Sequence, residues 1–178
     1  MGDGRLPVAV IGGGLSGLVC AGQWIERGRR VEVFDKARGP GGRMATRRRD
    51  TSTFDHGAPF FYATQSDFAE QLSEWRQAEC VGVWEGRFGR MDAEGLRAAP
   101  LGLDRWVGLP KMNSITRHLC AGKTIHWKAR VIALERIGGA WFLTMESGER
   151  AGPYSAVVLT CPGPQAAALA PEESLIFQ

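Results

Sequence analysis

Four residues of this 178-residue chain have an obvious chemical use: the spaced glycines Gly12, Gly14 and Gly17, and the carboxylate of Asp35. The glycines follow an apolar run, Val8-Ala9-Val10-Ile11. They lead into Leu15, Leu18, Val19, Gly22 and Ile25, whose i, i+3, i+4, i+7, i+10 course marks one face of a helix. In a strand–turn–helix of this kind Gly12 permits the tight turn. Gly14 lets the backbone approach a phosphate, and Gly17 lets the helix pack on the strand. The free N–H groups and positive dipole end of the helix then face a pyrophosphate. Gly28 ends the helix, and Val31-Glu32-Val33-Phe34 is a second strand closing on Asp35. A carboxylate there accepts ribose hydroxyls and repels a 2′-phosphate, at the expected separation of about 20 residues. The pattern predicts dinucleotide binding; the plainer alternative is a βαβ unit with a glycine-rich turn.

The rest of the composition narrows the function by exclusion. A net charge of +3 is too small to argue for nucleic acid. The arginines cluster early, and Arg47, Arg48 and Arg49 read as a solvated run, whereas Arg43 follows Gly41-Gly42 inside a glycine-bearing motif. Cys20, Cys80, Cys120 and Cys161 form no CxxC pair and share no ligand spacing with the histidines, so no metal site or disulfide framework is expected. Free thiols and the lack of a signal-like start favour a cytoplasmic setting. The opening apolar run has four residues, against the ~20 that span a bilayer. No membrane association is expected.

Three segments position these residues. Residues 1–62 form the nucleotide-binding start. Residues 63–109 are an excursion, with a helix over Thr64 to Ala78 (Thr64 and Asp67 as a capping pair) and then short β-prone pieces broken by glycines. Trp84, Phe88, Met91 and Trp106 are expected along one side of a sheet there, with core packing the usual fate of tryptophan. Residues 110–178 return to the nucleotide domain: a helix anchored by Ile115 and Leu119, then a meander over Thr124–Trp127, Val131–Leu134 and Trp141–Met145. Gly138-Gly139 and Ser147-Gly148 supply its turns, Val157 to Thr160 a last buried strand, and Gln165 to Ala170 a short helix. The predicted fold is α/β and Rossmann-like, a βαβ unit crossed by a β-meander, with the start of a β-rich substrate domain.

Three stretches carry a family resemblance. Asp35-Lys36-Ala37-Arg38-Gly39-Pro40-Gly41-Gly42-Arg43-Met44-Ala45-Thr46-Arg47, then Phe54-Asp55-His56-Gly57-Ala58-Pro59-Phe60-Phe61, is similar to the renalase-like branch of the FAD-dependent amine oxidase superfamily. Trp106 to Ser114 resembles, more loosely, that family's return from substrate domain to FAD domain. The resemblance implies FAD as cofactor. Gly12, Gly13, Gly14, Ser16, Gly17, Asp35, Lys36, Gly41, Gly42, Arg43 and Met44 would hold its nucleotide side, with Arg43 at the pyrophosphate. Gly57, Ala58, Pro59 and Phe60 would lie beside the flavin, and Val131 would make main-chain contacts to adenine. Asp55 is either a flavin neighbour or a turn carboxylate, and His56 a surface or capping histidine. The implied reaction is hydride transfer from a small reduced substrate, a dihydronicotinamide isomer or an amine, to flavin and then to O2. No catalytic side chain is assigned, because the cofactor carries the chemistry.

Family members are nearly twice this long, so the chain reads as the N-terminal part of such an enzyme: a fragment, a truncated gene product, or one half of a complementing pair. Two other readings stay open. One is a non-catalytic dinucleotide-binding module; the other is an NAD-dependent dehydrogenase, disfavoured by Gly41-Gly42-Arg43 and the meander.

Overall fold

β1 (Val8–Ile11) is buried along its whole length, as a central strand with apolar side chains on both faces must be. The computed structural model describes residues 4–98 and 102–171. After β1 come α1 (Leu15–Glu26) and β2 (Val31–Asp35), and a single 3-10 turn spans Gly42–Met44. Next come β3 (Thr46–Arg49), β4 (Ser52–Asp55), α2 (Ser66–Gln77), β5 (Val81–Val83), β6 (Gly89–Asp92), β7 (Gly95–Ala98), β8 (Trp106–Gly108) and α3 (Ser114–Leu119). The chain then forms β9 (Thr124–Trp127), β10 (Val131–Ile137), β11 (Ala140–Met145), β12 (Arg150–Tyr154), β13 (Ala156–Leu159) and α4 (Gly163–Ala167).

The described residues fall into two compact units, one reaching Arg43 and resuming at Leu119, the other Met44–His118. These breaks differ from the segment ends at 62 and 109 read from the sequence. The cause is long-range pairing: Phe61 and Trp106 exchange two backbone hydrogen bonds of 2.9 Å, which holds the stretch before residue 62 within the second unit.

In the first unit a parallel sheet has the order β13-β1-β2-β9, with Ile11 opposite both Leu159 and Phe34. Alternate residues of β1 face opposite sides. Val8 and Val10 join Val31, Val33 and Ala21 beneath α1, while Ala9 and Ile11 join Phe34, Val131, Leu143, Met145 and Tyr154 under the meander. Each fully buried Val or Leu contributes roughly 1.5–3 kcal/mol. Two sequence expectations change here. The strand Thr124–Trp127 is not part of the meander; it pairs in parallel with β2, Val33 opposite Ile125, and the meander is β10-β11-β12. Short apolar strands do not declare their partner, and only closure of the core under β2 chooses it. The last strand is also half-exposed rather than buried, because β13 is a sheet edge.

One polar cluster lies in this layer. The Tyr154 hydroxyl donates to Glu32 Oε2 at 3.1 Å, and His126 Nε2 lies 2.8 Å from the same oxygen. Burial, then the charge of Glu32, then the hydrogen bond to it raise the Tyr154 pKa above its ordinary 10.0. A phenol with a raised folded-state pKa contributes stability that is complete below the ordinary value and is lost as pH climbs through the folded one. The denaturation midpoint of the first unit should therefore hold from neutral pH to about pH 10 and fall beyond it, and Tyr154→Phe should flatten that fall. An equally steep alkaline loss in the variant would remove Tyr154 as its source.

In the second unit β5 pairs with β8, β3 with β4, and β6 with β7, all antiparallel. Trp75 of α2 and Trp106 are buried. Met91 does not share a sheet side with Trp84; it lies 77% exposed on the separate β6–β7 hairpin. α2 starts at Ser66 after Gln65, with no side-chain cap, so the expected Thr64–Asp67 capping pair does not form. Ile25 of α1, expected on the apolar face, is 38% exposed; the face that packs is Gly17, Leu18 and Ala21.

Candidate nucleotide-binding site

The turn from β1 into α1 is held from three sides. Gly12 N–H donates to the Phe34 carbonyl at 2.8 Å, which fixes the turn to β2. Thr160, just past β13, donates its backbone N–H to Ile11 O at 2.9 Å and its hydroxyl to the same oxygen at 2.9 Å. Gly12 adopts φ +121°, and a Cβ there would lie 2.5 Å from Thr160 Oγ1. A Cβ on Gly17 would stand 1.9 Å from the Gly12 carbonyl oxygen. The helix therefore packs against the turn at a separation that only glycine allows.

Gly14 is a different case. As the residue before α1 it has an ordinary φ of −83°, and a Cβ there would meet only Gly42 Cα, at 3.7 Å. Glycine here leaves open space rather than permitting tight packing, so Gly14 and Gly42 line a cradle without side chains. α1 has no side-chain cap and no acidic residue in its first turn, so its leading N–H groups and its dipole are left for an external anion. Ser16 is exposed at this end.

Asp35 at the end of β2 reaches back to the turn. Its Oδ2 accepts the Gly13 N–H at 2.5 Å and its Oδ1 accepts the Ala37 N–H at 2.6 Å. Each carboxylate oxygen keeps a second lone pair for a hydroxyl donor. The backbone here is tied down as well: Ala129 N–H donates to Asp35 O at 2.9 Å and Lys128 N–H to Ala37 O at 2.8 Å. Lys36 is exposed, with its ammonium 3.2 Å from Gln165 Oε1 of α4. Gly41 is buried, and the exposed Arg43 guanidinium has no hydrogen-bond or ion-pair partner among the described residues. A side-chain-free cradle, uncapped helical donors, a guanidinium without a partner among the described residues and an acid bonded to the turn fit an anionic nucleotide.

The remaining candidates are placed differently. Val131 begins β10 with its side chain buried in the core under the meander, opposite Met145. Met44, Gly57, Ala58, Pro59 and Phe60 belong to the second unit. Met44 is buried, Gly57 and Pro59 are exposed, and Ala58 and Phe60 are half-buried. Asp55 there acts as a tie: it accepts the Thr46 hydroxyl and, at 3.1 Å, the Met112 N–H. His56 is exposed. Sequence reading missed Thr160 and Trp127. A Cβ on Gly13 would lie 2.7 Å from Trp127 Cζ3, so the indole walls the turn. Nothing local marks either residue; both arrive at the site through parallel pairing.

Comparison with known proteins agrees with the fold. Residues 10–75 match the family model described as an NAD(P)-binding Rossmann-like domain. Over 52 residues the chain is 38% identical to a 4,4'-diapophytoene desaturase (4,4'-diaponeurosporene-forming) of Staphylococcus haemolyticus (strain JCSC1435), covering 29% of this chain and 10% of that protein. Among solved structures it resembles a protein assigned as a protoporphyrinogen oxidase from Exiguobacterium sp. 255-15, with TM-score 0.73 and 14% identity over 97% of this chain and 63% of that one. A putrescine oxidase variant with redesigned cofactor binding gives TM-score 0.70 and 12% identity, over 93% and 60% of the two chains. The chain thus spans a tenth of that desaturase and less than two thirds of these solved proteins. The fold is that of the dinucleotide-binding α/β proteins, with a parallel Rossmann-like sheet.

Proposed function

We propose that this chain is the cofactor-binding part of an FAD-dependent oxidoreductase of the amine oxidase kind, and within that group of the renalase-like branch. The carrying observation is the β1–α1 turn joined to Asp35 and to the Gly14–Gly42 cradle, with the free Arg43 guanidinium beside it in sequence. In this reading the N–H groups at the start of α1 and the cradle hold the pyrophosphate. Arg43 adds a charge-assisted fork to it, and Asp35 accepts the ribose hydroxyls. Val131, with its side chain committed to the core, offers adenine only its main chain. Gly57, Ala58, Pro59 and Phe60 form the wall beside the flavin. When bound, FAD supplies the ring that takes a hydride from a small reduced substrate, a dihydronicotinamide isomer or an amine, and passes the electrons to O2. Support comes from the sequence motifs of the amine oxidase family and from the shared fold with two oxidases.

The test is direct. The purified chain should carry or take up FAD, seen as a flavin absorption band and identified after denaturation. Asp35→Ala and Arg43→Ala should each weaken FAD binding by about 1.5–3 kcal/mol, the range for a hydrogen bond to a charged group. Asp35→Ala should also loosen the turn, because Gly13 and Ala37 lose their acceptor, whereas Arg43→Ala should leave stability unchanged. Unchanged FAD binding in both variants would overturn the site assignment. Tight binding of NAD in place of FAD would favour the dehydrogenase reading.

A further inference from the structure

In the unit Met44–His118 one cation lies over two aromatic rings, and two further rings extend the cluster. The Arg105 guanidinium carbon lies 4.0 Å from the centroid of Phe88 and 5.6 Å from that of Phe60. Trp84 stands edge-on to Phe88 at 5.3 Å and tilted against Phe60 at 6.0 Å, and Tyr62 meets Phe60 at 5.3 Å. The backbone fixes the cluster, since Trp84 N–H donates to the Arg105 carbonyl at 2.7 Å where the β5–β8 ladder continues. Arg105 is half-buried, yet among the described residues its guanidinium has no acid or hydrogen-bond partner. Trp84 and Tyr62 are each 43% exposed.

A guanidinium held over ring faces, with no protein acceptor on it among the described residues, leaves N–H donors that suit a carboxylate or phosphate in a two-point contact. A partly desolvated cation without a counter-charge favours an anion and repels an ammonium. The exposed ring faces next to it add affinity for a planar group. We propose that Phe60, Tyr62, Trp84, Phe88 and Arg105 form a binding site for a planar aromatic ligand bearing a carboxylate or phosphate, with Arg105 selecting such anions over protonated amines. As the substrate class of the oxidoreductase this rests on the reading above; as a binding site it rests on the geometry of this unit alone.

The experiment uses the full chain labelled with 5-fluorotryptophan, the Trp84 resonance being assigned by Trp84→Phe. It is titrated with benzoate, phenyl phosphate, benzamide and benzylammonium, and fluorine NMR reads the Trp84 shift. Benzoate and phenyl phosphate should bind at least about tenfold more tightly than benzamide, with benzylammonium weakest. The tighter of the two anions tells a carboxylate ligand from a phosphate one. Arg105→Gln should remove the preference for anions, while Arg105→Lys should retain part of it. Equal binding of benzoate and benzamide, tighter binding of benzylammonium, or no Trp84 response to any probe would overturn the proposal. If Arg105→Gln does not fold, the ligand series on the unsubstituted chain still decides. FAD uptake is measured on the same samples. Anion binding without FAD uptake counts against the cofactor reading only, and FAD uptake without anion binding counts against this site only.

Discussion

Gly17→Ala should cost about 3 kcal/mol or more and abolish nucleotide binding, although it adds one methyl group to a helix, where alanine is normally the better residue. The added Cβ would stand 1.9 Å from the Gly12 carbonyl oxygen and 2.7 Å from Thr160 Oγ1. The Thr160 hydroxyl can rotate away, but the Gly12 carbonyl belongs to a turn anchored to Phe34 on one side and to Ile11 and Thr160 on the other. Relief must come from moving α1 off the sheet, which opens the packing of Leu18 and Ala21 and withdraws the helical N–H donors from the phosphate position. Gly14→Ala is the control. Its Cβ would meet only Gly42 Cα at 3.7 Å, and its φ is ordinary, so the loss should stay near the ~1 kcal/mol of replacing an N-cap glycine by alanine, well below that of Gly17→Ala. Nucleotide affinity should still fall, because the methyl group fills the cradle. Amide exchange in β1 and β2 reads the stability and a flavin titration reads the affinity. Equal effects of the two substitutions would mean that the glycines do not divide into packing and approach as the geometry requires.

Trp75→Ala is expected to be comparably damaging to the second unit, at roughly 3–5 kcal/mol. Trp75 is 1% exposed, with Phe61 and Phe68 edge-on to it at 6.4 and 5.7 Å, and its backbone carbonyl accepts both the Cys80 N–H and thiol. Its indole Nε1 is buried without a hydrogen-bond partner among the described residues, so part of the packing gain is already offset by an unmet donor. Trp75→Phe removes that donor together with one ring. It should therefore cost well under half of what Trp75→Ala costs, although phenylalanine leaves a cavity. Because the chain has two units, the readout is amide exchange on α2 and β5 rather than one global unfolding curve. A loss below about 1 kcal/mol for Trp75→Ala would mean that the aromatic cluster does not hold this unit together.

The local chemistry of the site is legible in the sequence, because it is encoded within about 30 consecutive residues. A four-residue apolar run, glycines at fixed offsets and an acid at the end of the next strand each impose a backbone requirement that few residue types meet. Gly12 lies in the turn after β1, Gly17 packs α1 against it, and Asp35 ends β2, where its carboxylate accepts the Gly13 N–H. Residues that come to the site from far along the chain are not legible in this way. Thr160 lies 149 residues from Ile11 and buttresses the turn only because β13 pairs in parallel with β1. Trp127 walls Gly13 because β9 joins β2 and not the meander, a choice made by which strand completes the core and not by any signal in Thr124–Trp127 itself. The same holds for Arg105: nothing in its sequence neighbourhood marks it as a partner of Phe60 and Phe88, and its place over those rings exists only once the chain from β4 to β8 has folded back on itself. Periodicity and turn chemistry act through neighbours in sequence, so the sequence alone determined the elements and the turn. Pairing partners and the company of each side chain depend on burying apolar area across the whole chain, and that only the tertiary structure decided.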